Sequence, residues 1–269
     1  DEYDIAKANL WLRTADRVLL EVGEFKALSF TELFDKTREI PWEEYIPEDG
    51  NFTVDGSSVK SKLFSISDSQ SIVEKAIVER LKENYKGVDW FEKTGARYKV
   101  KVALLRDIAT ITIDTTGESL HKRGYRKRQA IAPIKETLAA AMVMLSFWKP
   151  ERPLFDPFCG SGTILVEAAL IGKNIAPGLD RSFVAEAWDF IDPKVWKEER
   201  VKALKEIRND VKLNLLGSDI DRKLVLIARD NAFNLGLEDD IAFTIKDFRD
   251  VDLKDDYGVL ITNPPYGER

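Results

Sequence analysis

Cysteine and histidine are almost missing: the 269-residue chain holds one of each, Cys159 and His121. A lone cysteine excludes an internal disulfide framework and suits a reducing compartment. One cysteine with one histidine also argues against a zinc centre, which usually needs four such ligands, so no metal is expected. Nowhere do apolar residues run for the roughly 18–20 positions that a membrane helix requires. The opening residues Asp1 to Asp4 are acidic, unlike the basic start of an export signal. These absences set the expectation of a cytoplasmic protein with no membrane partner. Excess positive charge is missing too, since the net charge is −6. Binding to a polyanion depends on where charge sits rather than on its sum.

Locally, charge is concentrated. His121-Lys122-Arg123-Gly124-Tyr125-Arg126-Lys127-Arg128 carries five cations and no acid. Lys122, Arg123, Tyr125, Arg126, Lys127 and Arg128 are therefore candidate contacts to RNA, adding affinity without reading sequence. The plainer alternative is a solvated linker. This stretch, 119–132, divides two kinds of pattern. Before it lies a mixed α+β region. It is read as a helix at 29–38 capped by Ser29 or Thr31, a strand and turn at 51–59, and a helix capped by Ser67 or Ser69. Two alternating strands follow, around a turn at Arg106-Asp107. After it, a helix from Lys135 leads into strands alternating with helices, the signature of a parallel, doubly wound sheet. Strands are expected at Leu154-Phe155, Val211–Leu216, Ile241–Ile245 and Gly258–Thr262, with helices at 163–172 and 222–235. An insertion of about 40 residues, long for such a connection, carries Trp188 and Trp196, expected as its own core.

Ligands of an open α/β sheet bind beyond the carboxyl ends of its strands. Asp156-Pro157-Phe158-Cys159-Gly160-Ser161-Gly162-Thr163 stands at the first such end. Gly160 and Gly162 allow a tight turn, and the helix starting at Thr163 offers free N–H groups to a carboxylate. Asp219, after the second strand, is placed to accept ribose hydroxyls, with Asp221 better placed to cap the next helix. Asp247-Phe248, after the third, offers an acceptor and a ring to adenine. Without a Lys-Ser/Thr ending or a third glycine, the turn suits neither ATP nor a nicotinamide. Adenosine with a charged tail remains, and S-adenosylmethionine fits best.

Asn263-Pro264-Pro265-Tyr266 ends the fourth strand. The nitrogen of an exocyclic base amine is a poor nucleophile because its lone pair is delocalised. Carbonyls of Asn263 and Pro264 holding its N–H bonds would favour a tetrahedral nitrogen aimed at the methyl donor. Prolines fix the loop in advance, and Tyr266 offers a face for the base. Cys159 is read as a small packed residue and His121 as a turn residue.

These motifs, with Leu120–Arg126, Ala132–Leu138, Ala176-Pro177-Gly178-Leu179 and Arg181-Ser182-Phe183, resemble the THUMP-domain RNA guanine-N2 methyltransferases, often labelled N6-adenine DNA methylases. The resemblance covers nearly the whole chain. It implies a partial ferredoxin-like segment at 1–34, a THUMP-like RNA-binding domain at 35–118, the basic connector at 119–132 and a Rossmann-like class I methyltransferase domain at 133–269. It implies S-adenosylmethionine held by Asp156, Phe158, Gly160, Gly162, Thr163, Asp219, Ile220, Asp247 and Phe248. Catalysis would fall to Asn263, Pro264, Pro265 and Tyr266. The expected product is N2-methylguanosine, chiefly in 23S rRNA. A tRNA substrate, adenine-N6 methylation of DNA, and an RNA-binding protein with a decayed catalytic fold are the alternatives. The resemblance further implies sheet strands beyond Arg269 and residues before Asp1, so a fragment is expected, and a chain that truly ended there would be inactive.

Overall fold

The computed structural model describes residues 1–86, 91–127, 133–252, 257–265 and 267. It contains two compact units, and neither is continuous in sequence. The first comprises 1–9, 17–118 and 182–196; the second comprises 10–16, 119–181 and 197–269. The boundaries expected at 34/35 and 132/133 mark no division of this kind. The long insertion is shared instead, its middle part, 182–196, belonging to the first unit.

In the first unit, strands β1 (Leu19–Lys26), β2 (Asn51–Val59), β3 (Arg97–Leu105) and β4 (Ile108–Asp114) form a sheet in the order β1-β4-β3-β2. β2 and β3 run parallel, and the other pairs are antiparallel. Alternation in β3 buries Tyr98, Val100, Val102 and Leu104 and leaves Arg97 and Lys99 exposed. Helix α3 (Ile66–Asn84) packs on β2 and on α2 (Phe30–Glu39) through one apolar stripe that includes Val73, Ala76, Ile77 and Leu81. Ser29 caps α2 as expected, but Ser65 rather than Ser67 or Ser69 caps α3. Trp188 stacks on Tyr98 at 5.2 Å and donates its indole N–H to the Arg97 carbonyl at 3.0 Å. Trp188 and Trp196 are thus core residues of this unit, not of a separate insertion core.

In the second unit, β5 (Leu154–Asp156), β6 (Leu215–Asp219), β7 (Ile241–Ile245) and β8 (Val259–Leu260) are all parallel, in the order β7-β6-β5-β8. This is the doubly wound 3-2-1-4 arrangement, whose winding reverses between the first and fourth strands. α5 (Thr163–Gly172) is buried at nearly every position, which explains its uniformly apolar sequence. α4 (Glu136–Leu145) and α7 (Arg222–Phe233) complete the helical layers, and Asp221 caps α7 by accepting from the Lys223 N–H. No helix among the described residues is long and apolar enough to cross a membrane.

Candidate active site

The carboxyl ends of all four parallel strands open on one cleft of about 590 Å³, within the range of cofactor pockets. Asp156, Phe158, Gly160, Thr163, Asp219, Ile220, Asp247, Phe248, Asn263, Pro264 and Pro265 all line it. Gly162 lies just behind. Its φ of +78° is left-handed, and a Cβ there would meet the Phe243 ring at 2.7 Å, so only glycine fits. The same residue starts α5 without a side-chain cap, leaving the first helical N–H groups for a ligand. Gly160, at φ +52°, lines the cleft, and its missing Cβ would face open space. Tyr266 and Arg128 lie outside the described residues.

Asp219 is tied in place from both sides. Its Oδ2 accepts the Gly160 N–H at 2.9 Å and its Oδ1 the Asp221 N–H at 2.9 Å. A carboxylate has about four acceptor sites, so it retains capacity for ribose hydroxyls. Ile220 and Phe248 flank the same cleft although they are 71% and 52% exposed. Two uncovered apolar side chains facing one cavity fit a flat ring lodged between them. Phe158 supports Phe248 at 5.1 Å between centroids. Asp247 is held by Arg249 at 2.7 Å, and this hydrogen-bonded pairing lowers its carboxyl to about 2, so it stays an acceptor.

Asp156 is 1% exposed, and burial pushes its carboxyl up to about 6. Hydrogen bonds from Thr262 and from the Phe158 N–H oppose that shift, whereas neighbouring Asp219 adds to it. Burial also pushes the Cys159 thiol far up, which suppresses the thiolate and leaves a packing residue. No cluster of His, Cys, Asp or Glu suited to a metal occurs among the described residues.

Sequence reasoning missed Lys246, Pro133 and Ile134 in the cleft wall. Lys246 directly precedes Asp247 at a strand end, and that position was the available signal.

The connector differs most from expectation. Arg123 is 3% exposed and pairs with the fully buried Glu167 of α5 at 3.3 Å. It also donates to the carbonyls of Leu120, Leu12 and Arg13. Burial raises the Glu167 carboxyl, and the guanidiniums of Arg123 and Arg13 oppose that rise. Tyr125 is 3% exposed. Arg126 donates to the Ile134 carbonyl and the Thr163 hydroxyl and pairs with Glu136 at 3.2 Å. Arg123 and Tyr125 are therefore withdrawn as RNA contacts, because buried groups cannot reach phosphates. Arg126 is largely spent inside the protein. Lys122 and Lys127 are exposed. His121 accepts or donates locally, 2.8 Å from the Ser119 hydroxyl.

The reversal point of the sheet, the uncapped helix after a glycine turn and the carboxylate on the second strand define a Rossmann-like cofactor cleft. Comparison with known proteins makes the chain an S-adenosylmethionine-dependent methyltransferase. Residues 123–269 match the family model described as "RMKL-like, methyltransferase domain", residues 27–114 a THUMP domain, and residues 1–19 the RlmL ferredoxin-like domain. YpsC of Bacillus subtilis is 53% identical over 270 residues, all of this chain and 70% of that protein. The ribosomal RNA large subunit methyltransferase K/L of Psychromonas ingrahamii is 37% identical over 98% of this chain, which spans 36% of that protein. A Listeria monocytogenes crystal structure described as a predicted N6-adenine-specific DNA methylase superposes with a TM-score of 0.97. It is 54% identical over all of this chain and 71% of its own. The structure of SMU.472 complexed with SAH superposes at 0.91, 45% identical over 99% of this chain and 71% of its own. The chain belongs to the RMKL-like methyltransferase family.

The ribose assignment carries a direct expectation. Asp219→Ala is expected to weaken S-adenosylhomocysteine binding about tenfold to a hundredfold, since a charge-assisted hydrogen bond contributes roughly 1.5–3 kcal/mol. Titration calorimetry measures it, and an unchanged dissociation constant removes Asp219 from the cofactor site.

Proposed function

We propose that the chain transfers a methyl group to the exocyclic N2 of a guanosine in 23S rRNA. The observation that carries this reading is the lining of one cleft by both the Asp156–Thr163 turn and Asn263-Pro264-Pro265. Bound S-adenosylmethionine supplies an already activated methyl on its sulfonium, so the protein's work is positioning. Gly160 and the start of α5 receive the amino-acid tail. Asp219 orients the ribose, and Ile220 and Phe248 sandwich the adenine ring. The Asn263 side-chain carbonyl and the Pro264 backbone carbonyl hold the target amine. Pro264 and Pro265 stiffen that loop, so the acceptors need little rearrangement when the base arrives.

RNA is favoured over DNA by the match to a THUMP domain and by the names of two relatives, "Putative RNA methyltransferase YpsC" and the Psychromonas "Ribosomal RNA large subunit methyltransferase K/L". Lys122 and Lys127 are exposed in the connector, and Arg97 and Lys99 are exposed on the sheet of the first unit; these cations would contact phosphates. A second reading, adenine-N6 methylation of DNA, draws on the name of the Listeria structure. Nucleoside mass spectrometry of RNA and DNA from cells with and without the gene separates them. Loss of one N2-methylguanosine from 23S rRNA is expected. Loss from tRNA moves the substrate while keeping the chemistry, and loss of N6-methyladenine from DNA favours the second reading.

A further inference from the structure

β8 is very short. It pairs with β5 only through Leu154↔Val259 and Phe155↔Leu260, and the Ile261 N–H then reaches the Phe155 carbonyl at 3.1 Å. Prolines 264 and 265 have no N–H to donate, so the loop cannot simply continue the ladder past Asn263. At this point the tie passes from backbone to side chain. Thr262 donates its hydroxyl to Asp156 Oδ1 at 2.7 Å, and the same oxygen accepts the Phe158 N–H at 3.1 Å. One oxygen of a buried carboxylate thus grips both the first residues of the cofactor turn and the residue immediately before Asn263.

We propose that Thr262 is a positioning residue for methyl transfer, its hydroxyl bond to Asp156 setting the register between the donor turn and the acceptor loop. The proposal rests on the reading that Asn263 and Pro264 hold the amine. Thr262 touches neither reactant in this account and acts through Asp156. Because a displacement of about 1 Å between reacting groups can lower a rate roughly a hundredfold, a single hydrogen bond at this junction is enough to matter. Asp156 itself lines the cleft, and so does Asn263, the residue directly after Thr262. Valine matches threonine in shape while lacking the hydroxyl, so substitution there removes the tie with little change in packing volume.

The test compares the wild-type enzyme with Thr262→Val and Thr262→Ser. Turnover is measured with labelled S-adenosylmethionine and 23S rRNA from cells lacking the gene, and SAH affinity by calorimetry. Thr262→Val is expected to lower kcat about tenfold to a hundredfold, while KM for RNA and the SAH dissociation constant stay within about twofold. Thr262→Ser is expected to restore most of the loss. A wild-type kcat in Thr262→Val overturns the proposal, as does a serine variant no better than valine or a loss of SAH affinity parallel to the loss of kcat. Hydrogen exchange of the peptide covering 259–267 supplies a readout that needs no acceptor. It should quicken in Thr262→Val and not in Thr262→Ser, and unchanged exchange overturns the proposal. A wild-type enzyme inactive on this RNA but binding SAH normally counts against the substrate reading alone, and the exchange comparison then decides the role of Thr262.

Discussion

Replacing Asn263 with alanine is expected to lower turnover about a hundredfold to a thousandfold while SAH affinity stays within about twofold. The magnitude follows from removing one preorganised acceptor at the reacting centre, the effect measured when single oxyanion-hole donors are deleted. The separation follows from position. Asn263 follows β8, whereas the Asp156–Thr163 turn, Asp219 with Ile220, and Phe248 stand at the ends of β5, β6 and β7. An interaction made only as the nitrogen becomes tetrahedral lowers kcat without touching ground-state binding of the donor. Single-turnover kinetics with calorimetry in parallel make the measurement. Equal losses in turnover and SAH affinity would reassign Asn263 to the cofactor.

The second large effect concerns stability. Arg123→Met is expected to destabilise the second unit by about 3–5 kcal/mol, the usual cost of leaving one member of a buried ion pair alone. Glu167 is fully buried, and one of its oxygens already has no hydrogen-bond partner. Without Arg123 the remaining oxygen loses its closest cation, and the carbonyls of Leu12, Arg13 and Leu120 lose a donor. Arg123→Met with Glu167→Leu should recover much of the loss, because two apolar groups in place of a pair leave no stranded charge. Urea unfolding of the single and double variants measures both. A stable single variant with weakened RNA binding would return Arg123 to the surface role that its sequence context suggested.

That reversal shows what a sequence conceals. Five cations within eight residues read as a surface, and nothing local reveals that Arg123 faces Glu167, a partner forty-odd positions away on a buried helix. The cleft itself was legible because its parts sit at strand ends, and strand ends are marked by turn glycines, carboxylates and prolines. Ile241–Ile245 is a strand from end to end as expected. β6 starts at Leu215 instead of Val211: the Val211 N–H closes a turn on the Arg208 carbonyl, and the pairing with β5 begins only at Leu154↔Leu215. β8 is shorter than Gly258–Thr262, its last residue bonding through a side chain. Helix α1 (Glu2–Trp11) escaped detection because its buried side includes a polar residue. Asn9 donates to the Thr115 hydroxyl at 2.8 Å and accepts from Thr116 at 2.7 Å, so no clean apolar stripe appears.

The interleaving of the two units also has a consequence for synthesis on the ribosome. A nascent chain that has reached Glu118 holds every strand of the first sheet but not the 182–196 segment, with the indole that stacks on Tyr98. At about 5–20 residues per second, translation takes on the order of ten seconds to supply it. During that interval the β5 strand and the glycine turn emerge beside an unfinished neighbour. The first unit thus has all four of its strands early, while the segment that covers Tyr98 is supplied only after much of the second unit has been made.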